Sequence, residues 1–232
     1  MSQHTVSTFD ADLKALDDMI LNMGRAVLQQ HQDASTLPAK LDAVLAQRII
    51  DTDRSIDDMQ MAIEEKAIQT IAKRQPMAID LRSVVATLKI ASDLERIGDL
   101  AKNNAKRMLA SGTHSTLPTG AASLEPLNER VAEQIEHALE AFEQRDDTLA
   151  QEVWLRDVEV DTLQTSLFRE LLTYMMEDPR NIGTCTHLLF CARNLERMGD
   201  HATNIAEQVH YVVTGKTMPT DRPKGEAPDG TG

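Results

Sequence analysis

Acidic residues spaced four apart recur in both halves of this chain, and they could bind a cation or form an ion-pair network. Residues 94–101 read Leu-Glu-Arg-Ile-Gly-Asp-Leu-Ala, and residues 195–202 read Leu-Glu-Arg-Met-Gly-Asp-His-Ala. Six of the eight positions are identical, and each residue of the second copy stands 101 positions after its counterpart. A repeat at this distance indicates two copies of one domain-sized unit. On a helix, the Glu and Asp of each copy share one face, with Cβ atoms ~5–6 Å apart.

A second pair of acids lies on the predicted helix before each copy. Asp53 interrupts an apolar helix face and is followed four residues later by Asp57, and Asp157 and Asp161 repeat this arrangement 104 positions further on. Placing a carboxylate on a buried face is costly unless the carboxylate is paired or coordinates a metal. If the two acid-bearing helices of each half are neighbours, four carboxylates converge in each half.

Converging carboxylates are typical of two arrangements. Oxygen ligands suit hard cations as well as iron and manganese, and carboxylates can bridge more than one ion. The alternative is an ion-pair network in which Arg96 and Arg197 neutralise the acids, and the spacing leaves both interpretations open. The candidate metal ligands are Asp53, Asp57, Glu95, Asp99, Asp157, Asp161, Glu196 and Asp200.

Two further pairs of repeated residues lie close to these acids in sequence. Asn103 and Asn204 stand four residues beyond the Asp of each copy, where they could donate hydrogen bonds to the acids or face solvent. Gly98 and Gly199 lie in mid-helix, where Gly costs ~1 kcal/mol relative to Ala. They predict close approach by a neighbouring helix or by an ion cluster. The candidate supporting residues around the acids are Arg96, Asn103, Arg197 and Asn204.

Other chemical motifs are incomplete. Residues 207–210 contain the Glu-x-x-His pattern of ferritin-like di-iron bundles, which need that pattern on two helices, and it occurs once. His201 adjoins Asp200 but projects about 100° away around the helix. Its counterpart is Leu100, so a ligand role shared by both halves is excluded. No Gly-rich phosphate loop, nucleophile elbow or Cys-x-x-Cys is present, so nothing in the sequence requires an enzyme.

Apolar residues at helical spacing predict six long helices. An unbroken 4-3-4-3-4 spacing from Phe9 to Val27 indicates the first helix. The second is predicted from about residue 39 to residue 74. In the second half, Asp147 is a candidate cap after a predicted turn. The third, fifth and sixth helices are predicted to end near residues 109, 178 and 213.

Long helices joined by short turns pack antiparallel, so the predicted fold is all-α, with two tandem, internally repeated three-helix bundles. The first bundle is predicted over residues 1–110, followed by a connector of turn residues over 111–122. The second bundle is predicted over 123–215. Residues 216–232 are rich in Pro, Gly and charge without periodicity, which predicts a disordered tail.

Composition narrows the classes of partner. Aromatic residues make up only 3% of the chain, which favours helices over sheets. A formal net charge of −13 without a basic run argues against nucleic acid as a partner. Cys185 and Cys191 lack metal-site spacing and indicate a reducing compartment. Without a signal peptide or an apolar run of ~20 residues, the sequence predicts a cytoplasmic protein that meets membranes only through partners.

The repeated motif resembles the signature of the PhoU family, the accessory proteins of bacterial phosphate-specific transport. Residues 192–207, Ala-Arg-Asn-Leu-Glu-Arg-Met-Gly-Asp-His-Ala-Thr-Asn-Ile-Ala-Glu, read almost continuously like that signature. Residues 171–179 and 213–216 are also similar to family members. The resemblance extends from about Phe9 to Lys216, and it implies two related three-helix bundles.

The resemblance also implies a function. Family members are negative regulators of the phosphate-starvation response and of high-affinity phosphate uptake. They connect the ATPase subunit of the phosphate transporter to a membrane sensor histidine kinase, and a homodimer is the family expectation. The leading hypothesis is therefore a non-enzymatic cytoplasmic adaptor. The alternative is a carboxylate-bridged di-metal enzyme or a metal-storage helical bundle.

The resemblance implies a metal cofactor at the paired acids. Some family members bind multinuclear iron or zinc clusters through E(D)-x-x-x-D motifs, which correspond to all eight acids named above. Iron, zinc, manganese and magnesium are the candidate ions. The first half departs from the signature at Leu100, where His is usual, and at Asn104, where Ile is usual. We therefore expect metal in the second half more than in the first.

Overall fold

The computed structural model describes residues 2–37, 42–111 and 123–219. Over these ranges the chain forms six α-helices and no strand, which confirms the all-α prediction. A short 3-10 turn, Pro179–Asn181, precedes the last helix. In chain order the helices are α1 (Ser2–Ser35), α2 (Ala43–Arg74), α3 (Ile79–Ser111), α4 (Glu125–Gln144), α5 (Asp147–Glu177) and α6 (Ile182–Thr214).

Aspartate side chains cap the two middle helices, α2 and α5. Asp42 accepts hydrogen bonds of 2.9 and 3.0 Å from backbone N–H groups in the first turn of α2. Asp146 accepts bonds of 2.8 and 3.2 Å at the start of α5. The prediction of Asp147 as the cap was wrong by one residue, because the extended backbone of Asp146 directs its carboxylate at these free N–H groups. The predicted start of the second helix, near residue 39, lies outside the described residues.

The helices form the two repeated three-helix bundles that the sequence predicts. Helices α1, α2 and α3 pack together in the first half, and α4, α5 and α6 pack together in the second. The halves meet where α3 lies along α6 and where α1 contacts α4. One cluster of buried apolar side chains runs through both halves, so the two bundles share a core.

Helices α3 and α6, which carry the repeated motif, are antiparallel. Near the start of α3, Arg82 Nη1 donates a 3.3 Å hydrogen bond to the carbonyl oxygen of Tyr211, near the end of α6. Near the end of α3, the Arg107 guanidinium lies 4.0 Å from the centre of the Phe190 ring of α6. The two copies of the motif therefore lie on neighbouring helices across the interface between the halves.

The predicted connector and tail are described only in part. Residues 112–122 and 220–232 lie outside the described residues. Beyond α6, the chain still contacts the core, because Met218 is 8% exposed and belongs to the apolar cluster. In the described part of the predicted tail, Met218 thus packs against the core four residues after the end of α6. None of the helices in the described ranges has the length and apolar character needed to cross a membrane.

Candidate functional site

In the first half, a lysine ammonium binds two of the predicted acids. Lys102 of α3 lies between Asp53 of α2 and Asp99 of α3, with Nζ 2.5 Å from Asp53 Oδ2 and also hydrogen-bonded to Asp99 Oδ1. Asp53 is 6% exposed. Burial alone would lower the pKa of Lys102, but its hydrogen bonds to the two carboxylates outweigh burial and raise the pKa. Lys102 is therefore a fixed positive charge within the acid cluster.

The other two acids of the first half lie in the field of the same cluster. Burial raises the pKa of Asp57, and the negative charge of Asp53 raises it further. Burial also raises the pKa of Glu95, aided by Asp99 and opposed by Arg96, whose Nε lies 3.4 Å from Glu95 Oε2. The structure thus brings all four first-half acids within electrostatic reach of one another.

In the second half, neutral donors hold the acid that corresponds to Asp53. Asp157 is 2% exposed, and its Oδ1 accepts hydrogen bonds of 3.0 Å from Gln134 Nε2 and 3.0 Å from Thr203 Oγ1. Gln134 also donates to Thr203 Oγ1 at 2.9 Å. Thr203 stands 101 positions after Lys102 and is its counterpart. The second half therefore has a hydroxyl where the first half has an ammonium.

Glu196 of the second half has a strongly raised pKa. Burial and the neighbouring charge of Asp200 raise the pKa of Glu196 to about 7, with Asp161 adding to the shift. Arg193 opposes the shift, and its Nη1 lies 3.0 Å from Glu196 Oε1. The second oxygen, Oε2, is buried and has no hydrogen-bond partner among the described residues. A cation or a proton would satisfy that oxygen.

The two halves differ in how well their side chains suit a metal ion. No three His, Cys, Asp or Glu side chains in the described ranges are arranged to hold a metal ion as they stand. The first half already contains the Lys102 ammonium. The second half fits a cation better, because the buried Oε2 of Glu196 faces a negative field. The residues that would hold an ion there are Asp157, Asp161, Glu196 and Asp200.

The two motif arginines do not neutralise the acids symmetrically. Arg96 contacts Glu95 in the first half. Arg197 is exposed, and it is Arg193, one turn earlier on α6, that pairs with Glu196. The sequence offered a signal for this pair, since Arg193 stands three residues before Glu196, a spacing at which helical side chains meet.

The two motif asparagines also differ. Asn103 is exposed. Asn204 donates a 3.2 Å hydrogen bond to Asp93 Oδ1 of α3, and His201 Nδ1 lies 2.8 Å from the same oxygen. Sequence reasoning missed Asp93, which lies two residues before Glu95 and faces the other half. These contacts place Asn204 and His201 in the interface between the bundles.

The mid-motif glycines allow the first and middle helices of each half to pack closely against the helix that carries the motif. A Cβ added at Gly98 would lie 3.1 Å from Gln30 Oε1 and 3.3 Å from Ile56 Cδ1. At Gly199 the corresponding distances are 3.0 Å to Gln134 Oε1 and 3.2 Å to Cγ1 of a valine on α5. Of the two interpretations drawn from sequence, close helix approach is the one that the contacts support.

Known proteins share this doubled architecture. The PhoU domain model matches residues 20–108 and again residues 124–209. The chain belongs to the PhoU family. The chain is 49% identical over 223 residues to the phosphate-specific transport system accessory protein PhoU homolog of Rhizobium meliloti (strain 1021), covering 96% of this chain and 94% of that protein.

Solved structures of PhoU proteins have the same fold. The crystal structure of PhoU from Pseudomonas aeruginosa superposes on this chain with a TM-score of 0.85 at 38% identity. The match covers 90% of this chain and 100% of that one. The phosphate transport system regulatory protein PhoU from Streptococcus pneumoniae superposes with a TM-score of 0.84 at 29% identity, covering 91% of this chain and 99% of that one. The similarity therefore spans both bundles.

The single Glu-x-x-His pattern lies apart from the PhoU acid motifs. His210 stands ten residues beyond Asp200, which is ~15 Å along a helix. Its Nδ1 lies 2.5 Å from Asp147 Oδ1, at the start of α5. Asp147 thus pairs with His210 instead of capping its own helix. The histidine of the pattern is engaged outside the acid cluster.

Replacing Glu196 with Gln should change how stability depends on pH. The pKa of Glu196 is about 7 in the folded chain, against an ordinary value of 4.5. Between these values the folded chain keeps a proton that the unfolded chain has lost, so wild-type stability falls as pH rises through this window. We expect the advantage of E196Q over wild type to grow across the window and to level off above it. Urea unfolding with a chelator present measures this difference.

The matched control is E136Q, which removes the same charge from an exposed position on α4. An E196Q advantage that stays constant across the window, or that shrinks as pH rises, would contradict the assignment.

Proposed function

We propose that this chain is a cytoplasmic, non-enzymatic regulator of high-affinity phosphate uptake that represses the phosphate-starvation response when phosphate is plentiful. The observation that carries the proposal is the doubled PhoU domain, together with near-complete coverage of a relative named as a phosphate-specific transport system accessory protein. The regulatory name of the Streptococcus pneumoniae protein agrees with this role.

In this proposal the chain acts as an adaptor. It docks on the ATPase subunit of the phosphate transporter and on a sensor histidine kinase, and it forms a homodimer. In the described ranges, six helices form two bundles that meet through α3 and α6 and share one apolar core, and this arrangement suits simultaneous contact with two proteins. Membrane association then occurs through these partners.

Deletion of the gene tests the regulatory role. In cells grown with abundant phosphate, we expect a phosphate-repressed reporter to be strongly derepressed in the deletion strain and repressed again when the wild-type gene is returned. A reporter that stays equally repressed without the gene would overturn the proposal. An enzymatically inert protein is sufficient for this readout.

The proposal includes a metal ion in the second half. A bound ion would supply positive charge among Asp157 and Asp161 of α5 and Glu196 and Asp200 of α6, and would thereby link the two helices. The buried oxygen of Glu196 without a hydrogen-bond partner supports this assignment. Elemental analysis of the purified native protein identifies which of iron, zinc, manganese or magnesium is bound.

Replacing Asp157 and Asp161 with Ala should remove this ion. We expect elemental analysis of the native protein to find at least one ion per chain, and the double variant to lose most of it. A matched control replaces two exposed acids of the same helix, Glu152 and Glu170, with Ala. Native protein with far less than one ion per chain, or equal metal in both variants, would argue for hydrogen bonds and ion pairs alone.

A further inference from the structure

Position 102 and its repeat, position 203, carry the sharpest chemical difference between the two acid clusters. The structure places Lys102 and Thr203 at corresponding points beside Asp53 and Asp157. Both side chains donate a hydrogen bond to that buried acid. Only the lysine brings a positive charge.

The first cluster is organised around the ammonium. Lys102 Nζ binds Asp53 of the neighbouring helix and Asp99 of its own, and thus bridges the two acid pairs. The lysine side chain is only 18% exposed. A divalent ion brought to these carboxylates would have to displace the ammonium or lie next to it against charge repulsion.

In the second cluster, the buried Asp157 accepts hydrogen bonds from two neutral side chains, Gln134 and Thr203. Thr203 is fully buried. The amide nitrogen of Gln134 donates hydrogen bonds to both Asp157 and Thr203. The equivalent glutamine of the first half, Gln30, instead donates to the carbonyl oxygen of Ile49 at 3.1 Å. The lysine thus replaces the glutamine as the donor to the buried acid of its half.

We infer that the Lys102 ammonium is a built-in cation that replaces metal in the first half, so that this chain binds metal in its second half only. The inference rests on the metal proposed above for the second half. The two acid clusters would therefore hold different cations. In the first cluster the lysine ammonium permanently bridges α2 and α3, and in the second a metal ion would link α5 and α6.

Exchanging the two residues tests the inference. Metal-free protein is titrated with Mn²⁺ alone, and free Mn²⁺ is counted by electron paramagnetic resonance. We expect K102T to bind about twice as many ions as wild type, because it gives the first half the residue of the second. We expect T203K to bind almost none, and K102T/T203K to return to the wild-type number.

Matched variants control for charge and fold. Lys106, one turn further along α3, is exposed, and K106T should leave the number of ions unchanged. D53N/D99N should also bind as many ions as wild type. Circular dichroism follows folding with and without Mn²⁺, and K102T that is poorly folded in chelator should refold when Mn²⁺ is added. If K102T stays unfolded with Mn²⁺, or folds without gaining ions, the inference is wrong.

The outcomes separate this inference from the proposed function. If K102T binds Mn²⁺ and wild-type protein binds none, the metal part of the proposed function and the second-half part of this inference are both wrong, and only the exclusion of metal by Lys102 is supported. If D53N/D99N binds fewer ions than wild type, the inference is wrong and the regulatory role is unaffected. The reporter experiment tests that regulatory role on its own.

Discussion

Replacing Lys102 with Met is expected to lower the free energy of unfolding by about 3 kcal/mol at neutral pH in the presence of a chelator. The change keeps an unbranched side chain of good helix propensity and removes the ammonium that binds Asp53 and Asp99. The buried carboxylate of Asp53 is then left without its cation, and an uncompensated buried charge is strongly destabilising. Urea unfolding followed by circular dichroism measures the loss.

A second substitution identifies the cause. D53N removes the charge that Lys102 compensates, so the K102M/D53N double variant should be more stable than K102M alone. The difference from additivity gives the coupling between the two residues. K106M changes the same residue type at an exposed position of the same helix, and should stay within about 0.5 kcal/mol of wild type. Equal losses in K102M and K106M would show that Lys102 does not support the first half electrostatically.

Replacing Gly199 with Val is expected to destabilise the chain by about 2 kcal/mol, because it overfills a closely packed contact. A Cβ at this position would lie 3.0 Å from Gln134 Oε1 and 3.2 Å from Val160 Cγ1, and valine adds two methyl groups beyond it. The helix cannot relax away freely, since α6 packs against α3, α4 and α5. A fall in Tm of roughly 4–8 °C corresponds to this loss for a chain of this size.

A glycine of the same helix supplies the control for G199V. Gly183, in the first turn of α6, has no atom within 4 Å of an added Cβ, so G183V should lie within about 0.5 kcal/mol of wild type. G199V should also weaken the metal binding that we propose for the second half, because the valine pushes Gln134 away from Asp157, to which it donates. Wild-type stability in G199V would contradict the close packing at the second motif.

The local sequence pattern is sufficient to predict how the paired acids are grouped. Residues four apart on a helix share a face whatever surrounds the helix, so the grouping of Glu95 with Asp99 and of Glu196 with Asp200 follows from sequence. The burial of Asp53 and Asp157 follows equally, since each interrupts an apolar face at the same repeat position. Metal occupancy at the eight acids stays a prediction.

The local sequence pattern does not predict which partners the residues around the acids contact. Asn204 is four residues from Asp200, yet its amide donates to Asp93 on the other half. Arg197 adjoins Glu196 in sequence, yet the contact is made by Arg193. In both cases the rotation of one helix against its neighbour decides which polar side chains meet, and sequence neighbours do not report that rotation.

The sequence by itself determined the duplication, the six helices and the acids that share each helix face, because repeats and helical periodicity are properties of short segments. Only the tertiary structure decided what stands opposite those acids. Lys102 reaches Asp53 across 49 residues, and Thr203 reaches Asp157 across 46. Such contacts depend on the register between packed helices, which many distant apolar contacts set together. The difference between an ammonium and a hydroxyl beside the buried acid therefore became visible only in the folded chain.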